Sequence, residues 1–230
     1  MFVPQFHGRE HLNVAVWMNA LKNQNKETLF AFDHGFWGFN NKHPLGIAYQ
    51  AAFDIEQNEQ LILQANIIKD GLNLFEKIFG YRAVYFVPPN GPFNNTLEEF
   101  ASLEGIRFMS TSKIQHEPLG QGKNRKVFHY LGQINRYGQY YITRNCFFEP
   151  SDHCKDWVDC CMNEINIAFK WKKPAVISSH RVNYIGVLNT LNRDYGLLQL
   201  RRLLEQILKI WPEVEFMTSD ELGKLLLVND

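Results

Sequence analysis

One stretch of the sequence decides the fold: "RAVYFVPPNGPFNNTLEEFASLEGIRFM", residues 82–109. Its aromatic and β-branched start, residues 83–87, predicts a short strand that runs into a Pro-Pro-Asn-Gly turn. The next segment predicts a helix that ends at Gly105, and "IRFM" predicts a second strand. A strand, a helix and a strand in this order form a βαβ unit, which indicates parallel pairing.

The same alternation extends over the rest of the chain. Apolar residues at steps of three and four between positions 56 and 79 predict a long amphipathic helix that is closed by Gly80. Similar patterns predict an opening strand at Phe2, Val3 and Phe6, a loop at 28–41, a hairpin at 126–144, strands at 174–180 and 214–218, and helices at about 10–22, 152–170 (capped by Ser151 or Asp152), 193–210 and from Ser219 onward. We therefore expect an α/β protein with a mainly parallel sheet or barrel, formed by residues 1–230 as a single domain.

The composition excludes several classes of protein. Lys and Arg together number 24, as do Asp and Glu, and no long basic run is interleaved with aromatic residues, so no nucleic-acid partner is expected. No apolar stretch reaches the roughly 18 residues of a membrane span. The four cysteines lack the paired spacing of a structural zinc site, and two of them are adjacent, which predicts reduced thiols. Together with the lack of a signal-peptide pattern, this predicts a cytoplasmic protein, and the sequence does not indicate its oligomeric state.

Candidate functional residues follow three of the predicted strands. His7 and His11 stand four residues apart after the first strand, a spacing that on a helix directs both imidazoles towards one metal ion. The Pro88-Pro89-Asn90-Gly91 turn follows the strand at 83–87, and His180-Arg181 follows the strand at 174–180. Because functional groups of α/β barrels collect where strands end, we expect these segments to lie on one face.

These motifs, in this order, resemble the polysaccharide deacetylases, which are carbohydrate esterases with the NodB-like fold. The segment from His7 to His11 is similar to their His-x-x-x-His metal motif, and "FVPPNG" (86–91) is similar to their Arg-x-Pro-Tyr cleft motif. "VISSH" (176–180) resembles the strand that carries their late histidine, and "WPEVEFMTSDELGKLL" (211–226) resembles their last strand and helix. The resemblance covers about residues 5–226, is nearest to the divergent bacterial branch, and implies a distorted (β/α) barrel that lacks its first strand.

The resemblance also implies an activity, the metal-dependent removal of acetyl groups from N- or O-acetylated sugars of a polysaccharide or oligosaccharide. His7 and His11 would bind Zn²⁺ or another divalent metal ion, and His180 would protonate the departing amine. Glu10, inside the metal motif, is a candidate substitute base. The residues expected to contact the substrate are Pro89, Asn90, Arg181 and Asn183.

Several positions depart from the family pattern. The Asp-Asp pair that supplies a base and a third metal ligand is missing, and Val87 and Asn90 replace the arginine and tyrosine of the cleft motif. We favour an N-terminally shortened piece of a longer enzyme, because a lost first strand leaves a sheet edge, over a degenerate relative. Two other functions stay open, a catalytically inactive carbohydrate-binding relative and a structural subunit of a polysaccharide-synthesis assembly. Helix capping, core packing or backbone hydrogen bonds would account for each candidate residue as well.

Overall fold

A computed structural model describes residues 3–228, which contain seven α-helices and seven short strands. The helices are α1 (Val14–Lys22), α2 (Lys26–Asp33), α3 (Gln60–Phe79), α4 (Leu97–Leu103), α5 (Trp157–Lys170), α6 (Thr190–Ile210) and α7 (Ser219–Val228), with a 3-10 turn at Arg181–Tyr184. The strands are β1 (Tyr85–Phe86), β2 (Phe108–Thr111), β3 (Ile114–Gly120), β4 (Lys123–Phe128), β5 (Tyr140–Thr143), β6 (Cys146–Phe147) and β7 (Ile177–Ser178). The residues group into two compact units, one up to Ile142 together with the segment from Thr218 onward, and one formed by Thr143–Met217. The single domain stays a prediction.

The predicted βαβ unit is confirmed in the first unit. β1 and β2 pair in parallel, with Tyr85 opposite Phe108, and α4 lies between them in the chain. β5 completes a three-stranded sheet of order β1-β2-β5, and Phe6 joins its other edge through a parallel bridge to Phe86. The predicted long helix is confirmed as α3, whose C-terminal cap is Gly80. The core beneath this sheet contains Phe6, Phe53, Ile68, Leu72, Phe86, Leu97, Ile106 and Met109.

Two features of the first unit differ from the predictions. An antiparallel ribbon of β3 and β4, with Ile114 opposite Phe128, forms before most of the predicted hairpin at 126–144. A turn does form within that range, where Asn135 N donates a hydrogen bond to Gln139 O at 2.9 Å. α2 replaces the first part of the loop predicted at 28–41, because the side chain of Asn25 caps it by accepting a hydrogen bond from Thr28 N.

The second unit is built on two short parallel strands, β6 and β7, with Phe147 opposite Ser178. The helix predicted at 152–170 is confirmed as α5, but its cap is Asp156, whose carboxylate accepts hydrogen bonds from Val158 N and Asp159 N. α5 packs on β6 and on α6 around a core that contains Cys146, Phe148, Val158, Cys161, Ile165, Leu203 and Ile207.

The predicted barrel is wrong. Residues 3–228 form one three-stranded and two two-stranded sheets, and none of these sheets is closed. A barrel requires every strand to be hydrogen-bonded on both sides. Here β7 is limited to Ile177–Ser178, and no strand forms at 214–218. The pattern of the sequence therefore predicts the α/β class correctly but not the closure of the sheet. Phe2, part of the predicted opening strand, lies outside the described residues.

Across the described ranges, no helix combines the length and the apolar character that crossing a membrane requires.

Candidate metal centre and histidine–glutamate pair

His7 and His11 lie together, but not on a helix. α1 begins only at Val14, where Asn13 caps it by accepting a hydrogen bond from Val16 N. The segment between the histidines is irregular and turns at Gly8, whose φ of 96° is accessible to glycine and strained for other residues. The two imidazoles therefore approach each other through a turn rather than through one helical repeat.

Pairing of the main chain places this segment at the end of β1. Val87 N donates to Phe6 O at 2.9 Å, which continues the parallel bridge between Phe6 and Phe86. Since parallel strands end at the same edge, His7 comes next to the residue that follows β1, and its Nδ1 donates a hydrogen bond to Val87 O at 2.7 Å. His7 therefore meets the turn that follows β1, while the convergence of all three predicted segments on one face stays a prediction.

The turn after β1 also reaches the histidine motif. A Cβ atom on Gly8 would lie 3.3 Å from Cγ of Pro89, so the predicted substrate-binding proline packs against the metal motif and is itself buried. Asn90, the next residue, is exposed and has a left-handed backbone with φ of 57°. Contact of either residue with a substrate stays a prediction.

The geometry of the two imidazoles fits a pair of metal ligands. Their ring centroids are 5.3 Å apart and their planes meet at 68°. Two imidazoles on one tetrahedral ion, with metal–nitrogen distances of about 2.0–2.1 Å, have centroids about 5 Å apart. Nδ1 of His11 is buried and has no hydrogen-bond partner among the described residues. The ring of Trp37 lies beside His11, with centroids 6.0 Å apart. The residues present therefore fit two positions of a divalent metal site.

The one carboxylate of the motif, that of Glu10, is bound by the neighbouring Arg9. Both oxygens of Glu10 accept hydrogen bonds from Arg9, at 2.6 and 2.8 Å, and Arg9 also reaches Asp70 at 3.2 Å. Burial opposes the charge of Arg9, but the hydrogen bond to Glu10 is the larger effect and raises the pKa of the guanidinium. Within residues 3–228, no three His, Cys, Asp or Glu side chains form a group that could hold a metal ion.

His180 lies in the second unit and pairs with a residue that the sequence analysis missed. Its Nδ1 donates a hydrogen bond to Oε1 of Glu149 at 2.7 Å. The register of the parallel strands explains the pair, because Phe147 lies opposite Ser178 and the residues two positions further along are Glu149 and His180. The His180 side chain is 70% exposed and that of Glu149 is 20% exposed, so one nitrogen of the ring is held while the ring remains accessible.

The two other candidates of this loop have different environments. Arg181 is exposed and forms no ion pair with any described residue. Asn183 is fully buried, and its amide contacts Glu149, Ser151 and the backbone of His180. Contact of Asn183 with a sugar stays a prediction, while the partners visible in the structure are protein groups.

A sequence signal for Glu149 exists. "CFFEP" places a carboxylate directly after an apolar, aromatic run and before a proline, as at the end of a strand. The strand is β6, which closely follows the hairpin predicted at 126–144 and was not predicted as a separate element. Asp156, the next carboxylate but one after Glu149 along the chain, caps α5 and pairs with Arg202 at 3.2 Å.

No protein-family model matches the chain, and a search of curated proteins finds no significant match.

Proposed function

We propose that this chain is a divalent-metal-dependent hydrolase that removes acetyl groups from N- or O-acetylated sugars of a polysaccharide. One observation supports the proposal most directly: His7 and His11 lie side by side at a strand end, with the spacing of two ligands of one ion. The resemblance of the surrounding motifs to polysaccharide deacetylases supplies the type of reaction.

His7 and His11 would each contribute one imidazole nitrogen to the ion, Zn²⁺ being the first candidate. When bound, such an ion polarises the acetyl carbonyl and makes a bound water molecule more acidic. The contribution of the chain is orientation. The hydrogen bond from Nδ1 of His7 to Val87 O fixes the ring and its tautomer, so Nε2 would be the nitrogen offered to the ion. We assign no role as base to Glu10, because Arg9 occupies both of its oxygens.

His180 is the proposed proton carrier. Donation from Nδ1 to Glu149 leaves Nε2 as the nitrogen that would take up and release a proton in the reaction. Asn90 and Arg181 are exposed and are proposed to contact the sugar, whereas Pro89 shapes the turn beside the histidine motif.

The first experiment titrates zinc into the chelator-treated chain by calorimetry. We expect one-to-one binding in the wild type, and loss of this binding in His7→Ala and in His11→Ala. His34→Ala is the matched control, because its Nδ1 also contacts a backbone carbonyl, that of Phe30, at 2.8 Å. The second experiment measures acetate release from acetylated chitin and xylan oligosaccharides with the zinc-loaded chain.

The two results decide the proposal together. Zinc binding that His7→Ala and His11→Ala abolish, with acetate release that the same changes abolish, supports the hydrolase. Absence of zinc binding, or binding that the variants leave unchanged, overturns it. If glycans bind to a chelator-treated double variant, His7→Ala with His11→Ala, and no acetate is released by the wild type, the function is that of a catalytically inactive carbohydrate-binding relative.

A further inference from the structure

Glu149 is held from two sides. Oε1 accepts the hydrogen bond from Nδ1 of His180 at 2.7 Å, while Oε2 accepts one from Nδ2 of Asn183 at 2.7 Å. The backbone N–H of His180 also lies 3.3 Å from Oε2. The carboxylate therefore joins an exposed imidazole to a buried amide.

The orientation of the Asn183 amide follows from its neighbours. Ser151 N, an obligatory donor, lies 3.0 Å from one side of the amide, and Ser151 Oγ lies 2.6 Å from the same side. That side must be the oxygen, so the NH₂ group faces Glu149 and the carbonyl oxygen of His180, which it reaches at 2.8 Å. With 0% of the residue exposed, no part of this amide is available to solvent.

The backbone of Asn183 is fixed as well. A Cβ atom on Gly196 of α6 would lie 1.9 Å from Asn183 O and 2.9 Å from Asn183 C. Only glycine at position 196 allows this approach of the turn to the helix. Asn183 is thus immobilised through its main chain by α6 and through its side chain by Ser151.

We infer that Asn183 is a positioning residue that fixes the Glu149 carboxylate and thereby selects the Nδ1–H tautomer of His180. The effect of this tautomer on catalysis rests on the proposed function, because the tautomer matters for catalysis only if His180 carries a proton in the reaction. The tautomer itself is a property of the folded chain. If Asn183 serves only to stabilise the 3-10 turn, loosening the turn at another point will have the same effect on His180.

The test is ¹⁵N-edited NMR of the His180 imidazole in the full chain, at a pH where the ring is neutral. We expect Nδ1–H in the wild type and its loss in Asn183→Asp, which keeps the volume and the acceptor for Ser151 but removes the donor to Glu149. Ser151→Ala, a milder change, should lower the fraction of this tautomer. Asn192→Ala is the matched control, because Asn192 holds the same turn through Val182 O and Ile185 O, at 2.8 and 3.0 Å, without touching Glu149.

Retention of the Nδ1–H signature in both Asn183→Asp and Ser151→Ala overturns the inference, as does an equal loss in Asn192→Ala. Absence of this signature from the wild type also overturns it. In acetate-release assays, Asn183→Asp should lower kcat and leave KM unchanged. If the chain proves to have no deacetylase activity, the proposed function fails while the NMR result still decides the role of Asn183.

Discussion

At the scale of single residues, the proposed proton carrier gives the sharpest prediction. His180→Ala removes the imidazole that Glu149 orients, and general acid–base catalysis contributes a factor of about 10²–10⁴, so kcat for acetate release should fall by that factor. His153→Ala, in the same unit, is the control, because its ring packs on Tyr195 with centroids 5.0 Å apart and has no assigned role. An unchanged kcat in His180→Ala would remove this residue from the mechanism.

Gly8 provides a second test at this scale. Gly8→Ala places a Cβ in a backbone with φ of 96° and 3.3 Å from Pro89 Cγ. Strain of this kind costs about 1–3 kcal/mol, and it displaces the segment that carries the two histidines. We expect a lower free energy of unfolding in urea and weaker zinc binding. Gly138→Ala has a similar backbone, with φ of 76° and no atom within 4 Å of the added Cβ, and should leave zinc affinity unchanged. Equal zinc affinity in Gly8→Ala and the wild type would contradict the assigned geometry.

These residues also show what the sequence can predict about a site. The spacing of His7 and His11 predicts that they meet, which is correct, but the helix that was expected to bring them together begins only at Val14. Glu149 was missed because its position depends on the register between β6 and β7. Register between strands that are distant in the sequence is set by tertiary packing, which local patterns do not encode.

At the scale of elements, the N-terminus of α5 can be used to compare the observed cap, Asp156, with the predicted cap, Asp152. Asp156→Ala removes the acceptor for Val158 N and Asp159 N, and such caps contribute about 1 kcal/mol. Asp152→Ala, at the cap position predicted from the sequence, should have little effect because, within residues 3–228, this carboxylate accepts only from Cys154. Urea unfolding at neutral pH measures both. Equal losses in the two variants would contradict the observed cap.

The cap also has a pH dependence. Hydrogen bonds from the backbone, chiefly that of Asp159, lower the pKa of Asp156 in the folded state. Its contribution is therefore present above the pKa of the unfolded chain and is lost as the pH falls through the lower, folded value. The advantage of the wild type over Asp156→Ala should disappear in acid.

The elements most reliably predicted were those with local signals. α3 has apolar residues at steps of three and four and a left-handed Gly80 at its end, with φ of 76°. The βαβ unit follows from turn residues at fixed positions. The ribbon of β3 and β4 is absent from the sequence-based prediction because β4 (Lys123–Phe128) is mostly exposed and rich in charged residues, so it lacks the alternation that marks a half-buried strand.

At the scale of the whole molecule, the main difference from the prediction is that the sheets do not close into a barrel. The α/β class follows from the order of the elements, but closure depends on whether each strand finds two partners. Two of the three sheets contain just two strands, and β6 and β7 pair over two residues each. A family resemblance carried by motifs at strand ends does not determine that pairing.

Buried ionisable groups make the stability of the folded chain depend on pH. Burial raises the pKa of Glu98, which is 4% exposed, and the hydroxyl of Tyr141 donates a hydrogen bond to its carboxylate, a smaller effect of opposite sign. A raised pKa means that the folded state binds the proton more tightly than the unfolded state. The free energy of unfolding therefore falls as the pH rises from the unfolded pKa, near about 4.3, through the folded value. Burial lowers the pKa of His129, so this residue destabilises the fold as the pH falls.

Replacing Glu98 separates its effect from that of His129. Glu98→Gln keeps the volume and an acceptor for Tyr141 but cannot ionise, so the decline of stability with rising pH should flatten. Glu99→Gln is the matched control, because Glu99 is the next residue of α4 and is exposed, and it should follow the wild-type curve. Urea unfolding from about pH 4 to about pH 8 measures the slope, which reports the difference in bound protons between the folded and unfolded states. Since His129 is unchanged in both variants, the loss of stability in acid should persist in each. A Glu98→Gln curve parallel to the wild type would show that Glu98 is ionised in the fold, and the buried carboxyl would then need a cationic partner.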